Sequence, residues 1–451
     1  MPCRPDRPPP MISLALIGAL VGGILPAGAA RAECVPDGSG PLRVVSAEVD
    51  PAWDGLFTLQ PQGWQGADIA HSIPLDPDRV LWLFGDTLVG TSTGGVRDAG
   101  GTLVNGSITV QDLSATGPAA VTYDLGEDPT GFFAHQRPPS RGNFYWTTQG
   151  LMVDGELFVF AMNVISIFEQ QGFTILRVSN PGDPPEAWAP EARSLNIGDE
   201  TRMFISALLI EGDTLYMMGF DDSLGARRTV LARAPVAALK AGLTEGDVSY
   251  WVNGASGPRW GTTQADLATV MGTGVTESTL TFHPELGRYL YVTYDAFAGD
   301  FFLSSAEAIT GPWSAPTCAY HAPEVGGAIP EAVAYTGRLH PELTDVPGEL
   351  VLSYVTNTWG TVAPLYTPEG AGLYVPSFVR LRVEADGPGA GCQHGSPGGA
   401  GWASALMLTA LAWGRRRAAR SSRPSPRGAR TQSAGASGSG GGRSPGPPRA
   451  A

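Results

Sequence analysis

The sequence has little positive charge, few cysteines and no long stretch with helical periodicity. Lys240 is the single lysine, and Lys and Arg together number 29 against 43 Asp and Glu. Twelve of these 29 lie before residue 33 or after Cys392, so the chain between them carries 17 basic and 42 acidic residues. A nucleic-acid-binding protein needs a basic surface. The sequence therefore argues against nucleic acid as a partner and suits a protein that meets neutral or cationic partners.

The four cysteines are too few for a disulfide-rich scaffold. Cys3 lies in a predicted signal segment and Cys392 in a predicted sorting segment, which leaves Cys34 and Cys318 as a candidate disulfide in an oxidising compartment. No Cys-x-x-Cys motif or His/Cys cluster indicates structural zinc. The sequence predicts no cofactor and no metal site.

The amino-terminal end has the composition of a secretory signal over residues 1–32. Arg4 and Arg7 precede an apolar run over 11–25, and Ala30-Arg31-Ala32 has the small-x-small pattern of a cleavage site. These features predict an exported protein.

The carboxyl-terminal end, residues 389–451, has three parts. Gly391-Cys392 is followed by a short apolar run over 401–413 and then by an arginine cluster over 415–417. The apolar run falls below the roughly 20 residues that span a bilayer comfortably, and the arginines would hold the end in the cytoplasm. This arrangement resembles the MYXO-CTERM sorting signal of Myxococcales surface proteins. The resemblance implies transient membrane association, cleavage near Cys392 and display at the cell surface, with a weak permanent anchor as the alternative.

Between these ends, residues 33–388 contain β-strand patterns almost throughout, with one short helix expected over 234–243. A turn followed by an aromatic-rich strand that ends in Asp or Asn occurs five times. The repeats are RVLWLFGD to Asp86, GELFVFAMN to Asn163, DTLYMMGFD to Asp221, RYLYVTYD to Asp295 and ELVLSYVTN to Asn357. We interpret these terminal Asp and Asn residues as caps on strand ends.

The intervals between the repeats hold four strands each, which predicts an all-β fold, a five-bladed β-propeller of four-stranded antiparallel blades. The segment LRVVSAEV (42–49) is expected to complete the last blade and close the ring. A β-sandwich is the main alternative, but its turns would recur every 8–12 residues without this longer period.

The first strand of a propeller blade lines the central channel, so polar residues on these strands converge. In chain order they are Asp68 with His71, Gln149, Ser206, Glu277 and His340. Asp68 and Glu277 are the two acids on separate inner strands, and glycoside hydrolysis needs two carboxyl groups. A turn-forming role for Asp68 and a solvated strand end for Glu277 remain open. No ligand spacing supports a calcium ion in the channel, although such an ion is left open.

Further groups would contact a bound sugar. His71, His340 and Gln149 would hydrogen-bond its hydroxyls, and Trp64 and Trp146 would stack on its ring. For the two histidines, structural hydrogen bonding is the competing interpretation.

The stretch GADIAHSIPL…LWLFGDTLVG resembles the first-blade signature of a secreted propeller family catalogued as a domain of unknown function. Later segments, including YWTTQGLMVDGELFVF and LHPELTDVPGELVLSYVTN, are similar to it as well. The family resembles five-bladed glycosidases and includes endo-D-arabinanases. The resemblance implies that Asp68 is the base or nucleophile and Glu277 the general acid. Gln149 departs from the pattern, because it stands where a third carboxylate is expected.

Two functions follow as hypotheses. The first is an exported, cell-surface glycoside hydrolase that acts on furanose-rich polysaccharide such as arabinan. The second is a non-catalytic propeller that binds glycan or protein at the cell surface.

Overall fold

The computed structural model describes residues 34–36, 40–113, 144–166 and 169–385. The predicted signal segment over 1–32 and the sorting segment over 389–451, with Cys392, lie outside the described residues. In chain order the strands are β1 (Leu42–Val49), β2 (Gln62–Ala67), β3 (His71–Asp76), β4 (Arg79–Phe84), β5 (Thr87–Thr93), β6 (Val96–Arg97), β7 (Thr102–Val104), β8 (Ser107–Asp112), β9 (Phe144–Val153), β10 (Glu156–Ser166), β11 (Glu169–Val178), β12 (Glu191–Leu195), β13 (Arg202–Glu211), β14 (Thr214–Asp221), β15 (Arg228–Pro235), β16 (Ser249–Val252), β17 (Arg259–Gly261), β18 (Leu280–His283), β19 (Arg288–Asp295), β20 (Asp300–Ala306), β21 (Thr317–His321), β22 (Ala332–Leu339), β23 (Glu349–Thr358) and β24 (Pro376–Ala385).

Two short α-helices, α1 (Pro51–Asp54) and α2 (Val236–Gly242), interrupt the strands, and α2 matches the expected helix. Single 3-10 turns occur at Pro185–Ala187, Glu245–Asp247, Pro341–Leu343 and Ala363–Tyr366. Among the described residues, no helix combines the length and the apolarity that a bilayer crossing requires.

The strands form five antiparallel blades, which confirms the predicted five-bladed propeller. The blades have the strand orders β3-β4-β8, β9-β10-β11-β12, β13 to β17, β18 to β21, and β22-β23-β24-β1. Two blades depart from the expected four strands. The first has three described strands, and the third has a fifth strand, β17, on its outer edge. A small additional sheet, in which β5 pairs with β2, β6 and β7, was not expected.

The repeated aromatic-rich motif is the second strand of every blade. In β4, the residues from Val80 to Phe84 are all at most 1% exposed. A blade is covered on both faces by its neighbours, so its second strand buries side chains on both faces and reads as a continuous apolar run. In the second to fifth blades the turn before this strand places a glycine at positive φ, and Gly155 (φ 82°) and Gly212 (φ 57°) adopt this conformation without steric strain.

The ring is closed by chain segments from both ends of the propeller. β1 pairs antiparallel with β24, with Leu42 opposite Ala385 and Val49 opposite Val379, as the sequence predicts. Aromatic packing joins the fifth blade to the first, because Trp82 lies edge-on to Phe378 at a centroid distance of 5.8 Å.

The predicted disulfide is present and joins Cys34 to Cys318, which are 284 residues apart in sequence. It attaches the chain ahead of β1 to β21 in the fourth blade, next to the closing blade. The pairing fits an oxidising compartment.

Candidate functional site

The site lies at the end of the propeller where the inner strands begin and the second strands finish. Asp68 stands three residues before β3, and Glu277 stands three residues before β18. Asp86 follows the end of β4. Since the first two strands of a blade run antiparallel, these positions share one face of the ring.

Asp68 is 5% exposed and is held in one orientation by its surroundings. The Tyr335 hydroxyl donates to its Oδ2 at 3.1 Å. The backbone after it is strained, because Ile69 (φ 72°) and Ala70 (φ 48°) are both in the left-handed region. Such strain in a β-branched residue is unusual and clusters at functional sites.

Oδ1 of Asp68 has no hydrogen-bond partner among the described residues. The oxygen lies against the backbone of Gly85, where an added Cβ would come within 2.2 Å of it. A buried carboxyl oxygen without a protein partner is uncommon in folded proteins, and a functional role is one explanation for it.

Asp86 supplies a carboxyl group beside Asp68. The side chain is 7% exposed, and the Asp68 amide donates to the Asp86 carbonyl oxygen at 3.3 Å. Asn105 Nδ2 donates to Asp86 Oδ1 at 3.4 Å. Burial raises the pKa of Asp86 to about 6.

The sequence pattern predicts a strand cap at Asp86 and does not reveal this role. The interpretation holds for Asp221, Asp295 and Asn357, whose side-chain oxygens accept backbone amides of Ser223, Ala298 and Thr358. In the first blade, His71 pairs with Leu83. Continuing this register past the strand ends places position 68 opposite position 86, so counting back from the turn would have identified the pair.

Glu277, 5% exposed, faces the same site from the fourth blade. The Tyr294 hydroxyl donates to its Oε2 at 3.1 Å. Burial raises the pKa of Glu277, and the positive charge of Arg338 opposes that rise. The pKa of Asp68 is raised well above its ordinary value by burial, then by the charge of Asp86 and then by that of Glu277. The propeller therefore brings the two predicted acids within electrostatic reach of each other, together with a third.

Arg338 is a fully buried cation on the inner strand of the fifth blade. Its guanidinium donates to the carbonyl oxygens of Ser278 at 2.6 Å and Thr148 at 2.7 Å, so it links the fifth blade to the fourth and second. Burial lowers its pKa to about 10, which leaves it protonated at neutral pH. Sequence reasoning missed this residue, because it lies inside β22 in an otherwise apolar and small-residue stretch.

Gln149, where a third carboxylate was expected, makes protein contacts. Its Nε2 donates to the carbonyl oxygens of Ser206 at 2.8 Å and Ser278 at 2.6 Å. Both amide hydrogens are thereby used to join three inner strands. The structure gives Gln149 a structural role and supplies the third carboxyl from Asp86.

The two predicted histidines are buried and neutral. His71 Nε2 lies 3.3 Å from the Gly150 carbonyl oxygen, and burial holds its pKa well below the ordinary value. His340 lies between the hydroxyls of Ser72 (2.5 Å) and Ser353 (2.7 Å), and burial lowers its pKa to about 3. These contacts support the structural interpretation of both rings.

The predicted stacking tryptophans are packed inside the protein. Trp64 is fully buried against Phe57 and Phe84, with centroid distances of 6.3 and 5.6 Å. Trp146 is 8% exposed and lies in the core shared by the second and third blades. Stacking on a sugar needs an accessible ring face, so the burial of both side chains does not support that role. The described residues contain no group of three or more His, Cys, Asp or Glu arranged to hold a metal ion.

Fold and site together define a five-bladed propeller with a cluster of three carboxyl groups at one mouth. A family model described as a domain of unknown function (DUF5005) matches residues 50–402, and the chain belongs to this family. No curated protein matches the chain.

A solved structure of a Bacteroides ovatus protein, provisionally described as a hydrolase, has a TM-score of 0.58 at 17% identity. The likeness covers 77% of this chain and 93% of that one, and it supports the fold. The catalytic domain of a GH62 α-L-arabinofuranosidase from Coprinopsis cinerea has a TM-score of 0.38 at 12% identity, over 70% of this chain and 91% of that one. A GH43_1 enzyme from Xanthomonas citri has a TM-score of 0.40 at 10% identity, over 76% and 95%. Both scores are below 0.5, and neither likeness supports an assignment.

Proposed function

We propose that the protein is an exported glycoside hydrolase that cleaves furanose-rich polysaccharide such as arabinan. The observation that carries the proposal is the buried carboxyl pair of Asp68 and Asp86, with Glu277 near enough for its charge to raise the pKa of Asp68. Glycoside hydrolysis needs one carboxyl that holds a proton and one that is ionised. Burying three acids within electrostatic reach produces such a difference, and groups with perturbed pKa values cluster at functional sites.

From the charges around the acids we propose the opposite order of roles from the sequence-based expectation. Burial raises the pKa of Asp68, and the charges of its two carboxyl neighbours add to that rise, so we assign Asp68 the proton and the role of general acid. Glu277 has Arg338 nearby, which stabilises its anion, and it acts as base or nucleophile. Asp86 keeps the proton on Asp68 and is the third carboxyl of the site.

Hydrolysis is tested by reducing-end release from a panel of linear arabinan, mycobacterial arabinogalactan and xylan. Wild type is expected to release reducing ends from at least one polymer, and Asp68→Asn and Glu277→Gln to reduce the rate by at least about 100-fold. Asp78→Asn, in the exposed turn of the same hairpin, is the matched control. Binding without release by wild type and both variants would instead support the non-catalytic propeller.

Two further assays separate the acid from the nucleophile. An aryl furanoside with an activated leaving group needs no proton, so Asp68→Asn should cleave it far better than it cleaves polymer. Azide can enter the space left by a truncated base or nucleophile, so with polymer as the substrate it should restore activity to Glu277→Ala and not to Asp68→Ala. The reverse pattern would restore the sequence-based order of roles.

We also propose that the chain reaches the cell surface through its two end segments. The signal over residues 1–32 would direct export, and the MYXO-CTERM-like segment would associate transiently with the membrane before cleavage near Cys392. Mass spectrometry of the surface-exposed protein should find both segments removed. A Cys392→Ala variant that reaches the surface with normal processing would contradict the sorting role.

A further inference from the structure

Two aromatic side chains are exposed at the face that carries the carboxyl groups. Phe297 is 49% exposed and Trp359 is 37% exposed. Their rings are in edge contact, with centroids 5.3 Å apart and planes at 76°. We call this pair the aromatic platform. In the described part of the chain, the other exposed large aromatic is Phe282, near the opposite end of β18.

Each ring of the platform follows a strand that is connected to a site carboxyl group by hydrogen bonds. Phe297 stands three residues after Tyr294, which donates to Glu277. Trp359 stands two residues after Asn357, whose Nδ2 donates to the Tyr335 hydroxyl at 3.3 Å. Tyr335 in turn donates to Asp68. The platform therefore borders the site on the side of the fourth and fifth blades.

The loops under the platform are fixed by backbone hydrogen bonds. Asp295 accepts the amides of Ala298 on its Oδ1 at 3.1 Å and of Gly299 on its carbonyl oxygen at 2.9 Å. The Trp359 amide donates to the Glu331 carbonyl oxygen at 2.8 Å. The Ala334 amide donates to the Ala296 carbonyl oxygen at 3.0 Å and joins the two blades. These bonds fix the backbone that carries both rings, so the loops need not become ordered when a ligand binds.

We propose that Phe297 and Trp359 form a sugar-binding subsite that stacks on the ring next to the one held at the carboxyl groups. The inference rests on the proposed function, because it takes a polysaccharide chain as the occupant. The C–H face of a sugar ring is apolar and packs on an aromatic surface, and rigid aromatic side chains lose little entropy on binding. A neutral glycan depends on such contact area, since the acidic surface gives it no electrostatic attraction.

The subsite predicts that the protein prefers polymer to a single glycosidic unit. Binding is measured by affinity electrophoresis in linear arabinan, mycobacterial arabinogalactan and xylan, with Glu277→Gln present in every protein to prevent turnover. Trp359→Ala and Phe297→Ala are each expected to weaken binding by about tenfold. Phe282→Ala, an exposed aromatic at the opposite end of a blade, is expected to bind like its parent. Circular dichroism and thermal unfolding check that each variant is folded.

Kinetics separate this subsite from the proposed hydrolysis. With the wild-type carboxyl groups, Trp359→Ala should raise KM for polymer about tenfold and leave kcat/KM for an aryl furanoside unchanged. Parent-like binding and KM in both platform variants, equal weakening by Phe282→Ala, or no binding to any of the three polymers would overturn the subsite. Platform-dependent binding without cleavage by wild type would support the subsite and refute the hydrolase.

Discussion

Replacing Asp86 with Asn removes a buried negative charge while keeping an oxygen that can accept from Asn105. Burial raises the pKa of Asp86 from 3.8 to about 6. A rise of about two in the pKa corresponds to about 3 kcal/mol of free energy between the protonated and ionised forms. The pKa is higher in the folded state, so the stabilisation from this carboxyl is complete below pH 3.8 and is lost as the pH rises through about 6. The wild type thus bears about 3 kcal/mol of destabilisation at pH 7.5, of which about 2 kcal/mol develops above pH 4.5.

The assay is urea unfolding of wild type and Asp86→Asn at pH 4.5 and 7.5. The variant should be the more stable protein at pH 7.5, and its advantage should shrink by about 2 kcal/mol at pH 4.5. Asp78→Asn, exposed at the far end of the same hairpin, should show no such change. A stability difference that is the same at both pH values would refute the reasoning.

The same variant should change the pH dependence of hydrolysis, because the loss of the Asp86 charge lowers the pKa of Asp68 and moves the basic limb of the rate profile to lower pH. Gly85→Ala should reduce hydrolysis by at least about 100-fold without unfolding the protein. The added Cβ would lie 2.2 Å from Asp68 Oδ1, so the carboxyl group would have to move. Full activity would contradict that contact. Arg97→Lys should lower the free energy of unfolding by about 2–4 kcal/mol, measured by urea unfolding. The buried guanidinium donates to several backbone carbonyl oxygens, including that of Leu373, and the neighbouring Tyr374 hydroxyl donates to the Asp86 carbonyl oxygen. An unchanged unfolding midpoint would contradict this role.

Gly182→Ala is the control for the Gly85 substitution. An added Cβ at Gly182 meets no atom within 4 Å, and its φ lies outside the left-handed region. Activity should therefore remain at the wild-type level. A general penalty of replacing glycine would reduce activity in both variants.

The sequence predicted the fold well where a local pattern reflects burial on both faces. The aromatic-rich run ending at Asp86 is β4, and its four counterparts are the second strands of the other blades. Closure by β1 and the Cys34–Cys318 disulfide were also predicted, because each leaves a simple signal: an unpaired early strand and two remaining cysteines. The extra sheet around β5 was not, since its short strands follow no period.

The site was harder to predict, because a residue type at a strand end does not reveal where its side chain points. Asp86 and Asp295 end equivalent strands, yet Asp295 caps its own loop and Asp86 faces Asp68. Trp64 was predicted to stack on a sugar, but it packs in the core against Phe57, a residue outside the repeated motif. The exposed Trp359 was overlooked, since exposure depends on how loops from two blades meet.

The central claim is that three buried carboxyl groups share one site and that Asp68 holds a proton there at neutral pH. The most direct measurement is the infrared difference spectrum between wild type and Asp68→Asn at pH 7. We predict that the variant loses the carbonyl band of a protonated carboxyl group, and that Asp86→Asn weakens the same band. Loss of a carboxylate band alone in Asp68→Asn would contradict the claim, since it would mean that Asp68 is ionised.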